Sequence, residues 1–543
     1  MYWILVTDIR LPLSENSETA TEFAQKRVKS ALGVKKVLGA EVYRRSIDAR
    51  RRGNITSVWS VAVALDSVPS EEVLVKEGFR LIAEPDVSVK YGSERLSARP
   101  VVVGFGPAGM FAALLLAENG YRPIVLERGD DTEERIKTVE RFYSEGKLDT
   151  ESNIQFGAGG AGTFSDGKLV TRINDSRCRY VLKRFSDFGA PKDIMTKAKP
   201  HVGTDKLTAT VSGIRDEIIR LGGEIRFRCA FKGIVADTCG NVTAVKTSLG
   251  DIPAGAVILA TGHSARDVYS YLKMTNFPVV EKAFSVGVRI EHLRKSVENA
   301  MFGEELMKKA ETDTELRSLL GHAEYQYSYR EGERGVYTFC MCPGGEVVAG
   351  ASEEGGVVVN GMSRYARDGK NSNCAVCVSV TPEECASLGG TMEFCRAIEK
   401  KAFALGGGGY SAPIETVGDF LSGSRALHGP SEVFPTYMGG GNVKVARLET
   451  LFPSFVSDML KKGIRRFGRS MKGFDSPLAL LTGAETRTGS PYRIMRLDNG
   501  LAAGYSNFYP CGEGAGYAGG ITSAAVDGIS RAQILMQRFA PCG

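Results

Sequence analysis

The stretch Val101–Arg128, VVVGFGPAGMFAALLLAENGYRPIVLER, decides the fold of this 543-residue chain. Val101, Val102 and Val103 are a β-branched run suited to a parallel strand buried on both faces. They lead into the glycines at 104, 106 and 109. The first permits a tight turn, the second lets backbone approach a pyrophosphate, and the third lets the following helix lie close on the strand. That helix, expected from about Pro107 to Asn119, aims free N–H groups and the positive end of its dipole at the phosphates. Gly120 suits its end, and Ile124–Leu126 reads as the next strand. Glu127, roughly twenty residues beyond Gly104, is placed to accept both hydroxyls of an adenosine ribose. With 64 glycines in the chain, the spacing alone says little. The strand before it, the helix after it and the carboxylate beyond give it meaning.

Upstream, residues 1–97 read as a small module. Trp3–Arg10 alternate as a strand, Thr19–Leu32 repeat at helical spacing, and Val34–Tyr43 and Thr56–Leu65 are strand-like. A short helix at Ser70–Lys76 and a strand at Val87–Tyr91 would complete a split βαββαβ sandwich of ferredoxin-like type. SERLSARP, ending at Pro100, is the expected linker. Downstream, residues 98–275 open the nucleotide fold and pass through a strand meander to Ala256–Leu259 and the close turn Ala260-Thr261-Gly262. Residues 276–484 are glycine-rich and mixed in period, as suits an inserted α+β substrate or cap domain. Residues 485–543 return to strand, glycine turn and helix.

These pieces resemble a known family: bacterial FAD-dependent dehydrogenases, NAD(FAD)-utilising dehydrogenase-like, with an N-terminal ferredoxin-like domain. The motifs that carry the resemblance are YRRSIDARRR (Tyr43–Arg52), GFGPAG, GGAGTFSDGKL (Gly159–Leu169), KPHVGTDKL (Lys199–Leu207), ATGHSARD (Ala260–Asp267), VGVRIEH (Val286–His292), SEEGGVVVNGMS (Ser352–Ser363), ETRTGSPYRI (Glu485–Ile494) and YPCGEGAGYAGGITSAAVDG. The resemblance implies an α/β fold: a discontinuous, glutathione-reductase-like (Rossmann-type) FAD domain with an inserted α+β cap. It implies FAD as cofactor and an oxidoreductase, and it supplies no defined substrate.

The expected cofactor contacts follow. The first turn contributes Gly104, Phe105, Gly106, Pro107, Ala108, Gly109, Glu127 and Arg128. The glycine-rich loop contributes Gly160, Gly162, Thr163 and Lys168, since its backbone donors and tolerance of positive φ suit a loop wrapped round a cofactor. Phe231, Ala260, Thr261 and Gly262 are further expected contacts. Near the C-terminus, Gly512 leaves room for the pyrophosphate and Glu513 can accept from a ribitol hydroxyl. Gly520, Ile521 and Thr522 open a helix whose N–H groups would face the flavin's pyrimidine end, where negative charge develops on reduction. Lys168 is also a catalytic candidate. Near the flavin N5 it would favour hydride acceptance; it can equally pair with a carboxylate. His201 is a candidate proton donor or substrate anchor, or a satisfied loop histidine. Arg487 and Arg493 would suit a carboxylate or phosphate on a substrate, or form ion pairs with Glu485.

Absences narrow the function. No second GxGxxG follows a strand, so a dedicated NAD(P)H domain is not supported. There is no CxxxxC beside the first turn, and the 11 cysteines have no regular spacing. The close pairs Cys340/Cys342 and Cys374/Cys377 read as structural, and no metal site is expected. A net charge of +6 argues against a nucleic-acid binder. The one feature favouring an RNA-associated flavoprotein is the run Arg44, Arg45, Arg50, Arg51 and Arg52. A binding protein with structural FAD is the third reading. No apolar run is long enough for a membrane span, and no signal peptide is seen, so a cytoplasmic enzyme acting on a small molecule is expected.

Overall fold

The computed structural model describes residues 1–50, 53–83, 85 and 87–542. The chain divides into two compact units. The first comprises Met1–Asp86, Asn174–His201 and Lys295–Ala323. It is built on β1 (Tyr2–Pro12), α1 (Ser17–Leu32), β2 (Gly39–Asp48), β3 (Thr56–Leu65), α2 (Glu71–Glu77) and β4 (Arg80–Ile82). The four strands form an antiparallel sheet in the order β2-β3-β1-β4. Ala20, Ala24 and Val28, spaced four apart on α1, form one apolar stripe over the sheet's inward residues Ile4, Val6, Val61 and Val63. Asn16 starts α1 by accepting from the N–H groups of Glu18 and Thr19 at 2.9 and 3.2 Å.

Two expectations are corrected here. The fourth strand is Arg80–Ile82, not Val87–Tyr91. Gly78, left-handed at φ 69, ends α2 and turns the chain at once onto Trp3–Leu5, so that edge is already paired. Strand β2 begins at Gly39 rather than Val34 and carries Arg44 and Arg45 of the basic run. Arg44 donates to the Ala198 carbonyl at 3.2 Å, Arg45 lies over the Trp59 ring at 5.7 Å, and Arg50 pairs with Asp48 at 2.5 Å. Arg51 and Arg52 lie outside the described residues.

The second unit comprises Val87–Ile173, Val202–Arg294 and Glu324–Gly543. Its first sheet is parallel throughout. Strands β5 (Pro100–Val103), β6 (Ile124–Leu126), β7 (Glu224–Arg226) and β11 (Ala256–Leu259) join the C-terminal strand Phe508–Pro510. The order is Phe508–Pro510, β11, β5, β6, β7. Between β7 and β11 runs an antiparallel meander of β8 (Phe231–Ala236), β9 (Val242–Thr247) and β10 (Gly250–Pro253). Every residue of β5 is buried, as its valines require. SERLSARP is not a free linker. Gly92 and Glu94 donate to the carbonyls of Met536 and Arg538 at 2.9 and 3.2 Å, and Ala540 donates back to Glu94 at 2.8 Å.

Residues between β11 and the C-terminal strand build a second, mostly antiparallel sheet of seven strands. Its centre is Phe284–Leu293, paired along its whole length with Asn371–Val380. Nearly all residues of both strands are buried.

Helix α3 (Pro107–Glu118) is buried from Ala108 to Ala117. It packs against the C-terminal helix Ile521–Arg538. The helices touch at Gly528, where a Cβ would come within 2.0 Å of the Ala108 carbonyl oxygen. Gly528→Val should therefore push the two helices apart and cost about 1–3 kcal/mol, the scale of core overpacking. Denaturant unfolding of the two proteins side by side measures it, and equal stability would mean the helices do not meet there.

Candidate functional site

A cavity of about 1390 Å³, its mouth included, opens at the carboxyl ends of the parallel strands of the second unit. Gly104 after β5, Glu127 after β6, Ala260, Thr261 and Gly262 after β11, and Gly512 and Glu513 after the C-terminal strand all line it. Ligands of open α/β sheets bind at this edge, where neighbouring connections diverge. Two helix starts face it as well. Helix α3 begins after Gly106 and the C-terminal helix after Gly520, and neither has a side-chain cap. The first helical bonds are those of Met110 to Gly106 and Ala524 to Gly520. The N–H groups before them have no partner within the helix and suit an anion.

The glycines here do two jobs. A Cβ on Gly104 would lie 2.4 Å from the Ala260 carbonyl oxygen, and one on Gly512 2.7 Å from Ala108 Cβ. Those two hold the walls together. A Cβ on Gly106 would meet nothing closer than Gly160 Cα at 3.7 Å, and at Gly262, Gly519 and Gly520 nothing lies within 4 Å. Those four leave room. Two unpartnered helix starts over glycine backbone, beside a buried carboxylate, match the pyrophosphate and ribose of a dinucleotide.

Glu127 lines the cavity, but its carboxylate is not free for both ribose hydroxyls as expected. It accepts from the N–H groups of Phe105 at 2.9 Å, Gly129 at 2.9 Å and Gly157 at 3.0 Å. It therefore ties three loops together while presenting its remaining lone-pair position. Arg128 also lines the cavity. It pairs bidentately with Asp267 and Glu151 and lies 4.4 Å over the Phe156 ring.

Gly106, Pro107, Ala108, Gly160, Gly162, Phe231, Gly520 and Ile521 line the same cavity. Several other expected contacts stand behind its wall. Phe105 is buried, edge-on to Phe227. Gly109 packs on the Gly104 carbonyl. Thr163 donates to the Ala158 carbonyl at 3.2 Å, and Thr522 to that of Leu169 at 2.7 Å. Lys168 pairs with the buried Asp166 at 2.6 Å rather than lining the cavity. His201 belongs to the first unit and is not a lining residue. Arg493 lies over the Tyr517 ring at 5.0 Å and is likewise not a lining residue.

Arg487 lines the cavity with its charge already compensated. It meets Glu399 at 3.4 Å and donates to Ser352, while Glu485 pairs instead with Arg289 at 2.8 Å. Glu399 also takes Arg266 at 2.7 Å. Burial raises the Glu399 pKa, but Arg487 and Arg266 outweigh it and hold the carboxyl at about 2. Beside them His263 lines the cavity, and its Nε2 finds no partner. Burial, then Arg487 and Arg266, lower its pKa to about 4, so it is a neutral imidazole at neutral pH. Its Nδ1 lies 3.8 Å from Glu513, whose carboxyl burial pushes up to about 7.

Sequence reasoning missed Arg135, Gln155, Phe156, Cys340 and Asn360. Arg135 is fully buried and donates to the carbonyls of Asn153, Ala158 and Gly160, so it shapes the glycine loop. Its signal was available: Arg135, Val139 and Phe142 share the buried stripe of one helix. The others come from distant segments, and spacing carries no trace of them.

Residues 283–488 match the family "FAD-dependent protein, C-terminal domain-like", and residues 4–64 match a domain of unknown function. An uncharacterized protein of Clostridium beijerinckii is 43% identical over 549 residues, covering 99% of each chain. The whole chain belongs to one family with the Clostridium protein, and its residues 283–488 carry the FAD-dependent protein C-terminal domain. Its cofactor is FAD. Among solved structures, CtdE in complex with FAD is 10% identical over 81% of this chain and 83% of that one, with a TM-score of 0.30. NikD, an unusual amino acid oxidase, is 13% identical over 80% of this chain and 93% of that one, with a TM-score of 0.32.

Gly106→Val should leave the melting of the FAD-free chain nearly unchanged, because the added Cβ meets only Gly160 Cα at an ordinary contact distance of 3.7 Å, yet abolish FAD binding. Fluorescence titration reads the affinity, and wild-type affinity in the variant would contradict the placement. His263 gives a pH dependence. Its pKa is about 4 when folded against 6.5 ordinarily, so its contribution to stability is complete above 6.5 and is lost as pH falls toward 4. His263→Asn should remove up to about 3 kcal/mol of the acid-side decline. Chemical denaturation at several pH values between those limits measures it.

Proposed function

We propose that this chain is an oxidoreductase that holds FAD non-covalently along the cavity and oxidises a small organic substrate. The observation that carries the reading is the convergence of two uncapped helix starts, from opposite ends of the second unit's sequence, on one cavity beside Glu127. In this reading the AMP half lies along Gly104–Glu127 and the pyrophosphate crosses Gly106. The ring's pyrimidine edge meets the N–H groups that follow Gly520. Bound FAD supplies two-electron redox chemistry, and the chain supplies orientation and electrostatics. The start of the C-terminal helix favours negative charge at the ring. Neutral His263, with Nε2 unpartnered, is a group able to hold or pass a proton near Glu513.

The glutathione-reductase-like assignment, the dehydrogenase subfamily and the ferredoxin-like assignment of the first module are part of the same reading. The order β2-β3-β1-β4 supports the last of these. Among the described residues no helix is long and apolar enough to cross a membrane, and no cluster of three or more metal-ligating side chains occurs. Arg487 is better read as a positioning residue than as a free substrate anchor, because Glu399 already balances it.

Purified protein should be yellow and release FAD, not FMN, on denaturation, since the first turn addresses an AMP half. A screen of candidate hydride donors under anaerobic conditions should find one that bleaches the oxidised flavin. Release of FMN alone would overturn the placement of the AMP half, and a flavin reducible by dithionite but by no donor would favour a structural cofactor.

A further inference from the structure

The strand Arg334–Cys342 ends in Cys340-Met341-Cys342, and its pairing with Asn371–Val380 breaks between Phe339 and Cys342. Cys340 sits in that break at φ 47, a left-handed backbone that non-glycine residues seldom adopt. The break turns Cys340 into the wall of the cavity, while Cys342 is buried behind it. Both thiols are free and two residues apart, and Cys342 Sγ donates to the Cys340 carbonyl oxygen at 3.4 Å.

Two cations close on the pair. Lys168 Nζ is 4.0 Å and Arg289 Nη1 3.9 Å from Cys342 Sγ, and the same Arg289 nitrogen donates to the Cys340 carbonyl at 3.1 Å. Leu169, next to Lys168, accepts from Thr522 at 2.7 Å. The contacts thus run from the thiols to the start of the C-terminal helix, the end of the cavity assigned to the flavin ring. Burial opposes ionisation of either thiol, while Lys168 and Arg289 favour an anion on the pair. Two thiols close in sequence beside cations, one of them on a cavity wall, are placed for thiol–disulfide chemistry.

We propose that Cys340 and Cys342 are a redox-active dithiol that exchanges two electrons with FAD, an inference that rests on reading this cavity as the flavin site. In the oxidising direction the two thiols lose both protons and an S–S bond forms. Two electrons and one proton pass to the flavin, and the second proton leaves to solvent. The reverse direction reopens the disulfide. Cys374, on the neighbouring strand, is a second free and buried thiol and is the alternative partner.

The test uses the full FAD-loaded chain purified in air. Anaerobic dithionite titration should consume about four electrons per FAD in the wild type, against about two in Cys340→Ser and in Cys342→Ser. Cys239→Ser, which alters an exposed cysteine, should keep the wild-type count. Independently of any variant, alkylation and peptide mass analysis of the wild type should find a Cys340–Cys342 disulfide that dithionite opens. Two electrons per FAD with both thiols alkylated before reduction would overturn the pair and leave the flavin site standing. A disulfide from Cys340 to Cys374 would overturn the choice of partner. Absence of FAD from the denatured protein would instead overturn the reading of the cavity, and the exchange with it.

Discussion

The crossing of α3 and the C-terminal helix at Ala108 and Gly528 is the constraint on which the second unit depends. One helix follows the first strand of the parallel sheet, and the other follows its last. Only a glycine at 528 lets them approach until backbone meets backbone, with a Cβ there 2.0 Å from the Ala108 carbonyl oxygen. That approach carries both helix starts to one cavity. It also fixes the topology: with Phe508–Pro510 beside β11 and β11 beside β5, the intervening seven-stranded sheet must leave the parallel sheet and return.

A second constraint works on the loops. Glycine-rich backbone is accommodating but not self-supporting, because each glycine adds conformational freedom to be lost on folding. The chain offsets this with two buried charged groups that take backbone partners. Glu127 accepts from three N–H groups, and Arg135 donates to three carbonyl oxygens. Each takes backbone partners in place of a direct ion pair, and the Glu127 carboxylate also favours the Arg135 charge at longer range. Burial lowers the Arg135 pKa to about 10, still far enough above neutrality to keep the guanidinium charged. The loops are therefore set before a cofactor arrives.

The parts of the fold legible in the sequence were those with a local cause. Val101–Val103, the three glycines and Ile124–Leu126 each follow from a steric rule acting over a few residues. The N-terminal elements were legible for the same reason, and the error at Val87–Tyr91 shows the limit. An alternating segment reads as a strand, yet Gly78 had already returned the chain to that edge. In the site, residues on the first turn and at Gly512–Ile521 were legible because a helix start and a phosphate need each other wherever they occur. Lys168 was not. Nothing in GGAGTFSDGKL says that Asp166 is buried or that Arg367 shares it. Arg487 lines the cavity, but its partner, Glu399, lies on a helix that no spacing relates to it.

The charges around the cavity separate into two groups with different consequences. Arg266, Arg396 and Arg487 meet Glu353, Glu393 and Glu399. Arg266, Arg487 and Glu399 are buried and compensated, so they hold the shape of the wall and favour a neutral His263. Arg289 and Lys168 meet Glu485 and Asp166, and both cations also reach a thiol. Burial raises the Glu485 pKa, so that carboxyl resists ionisation more than an exposed one would. Arg289 thus lies between the Glu485 carboxylate, which it pairs at 2.8 Å, and the Cys342 thiol at 3.9 Å. An anion on sulfur there is opposed by burial but favoured by two cations whose positions are already fixed by carboxylates.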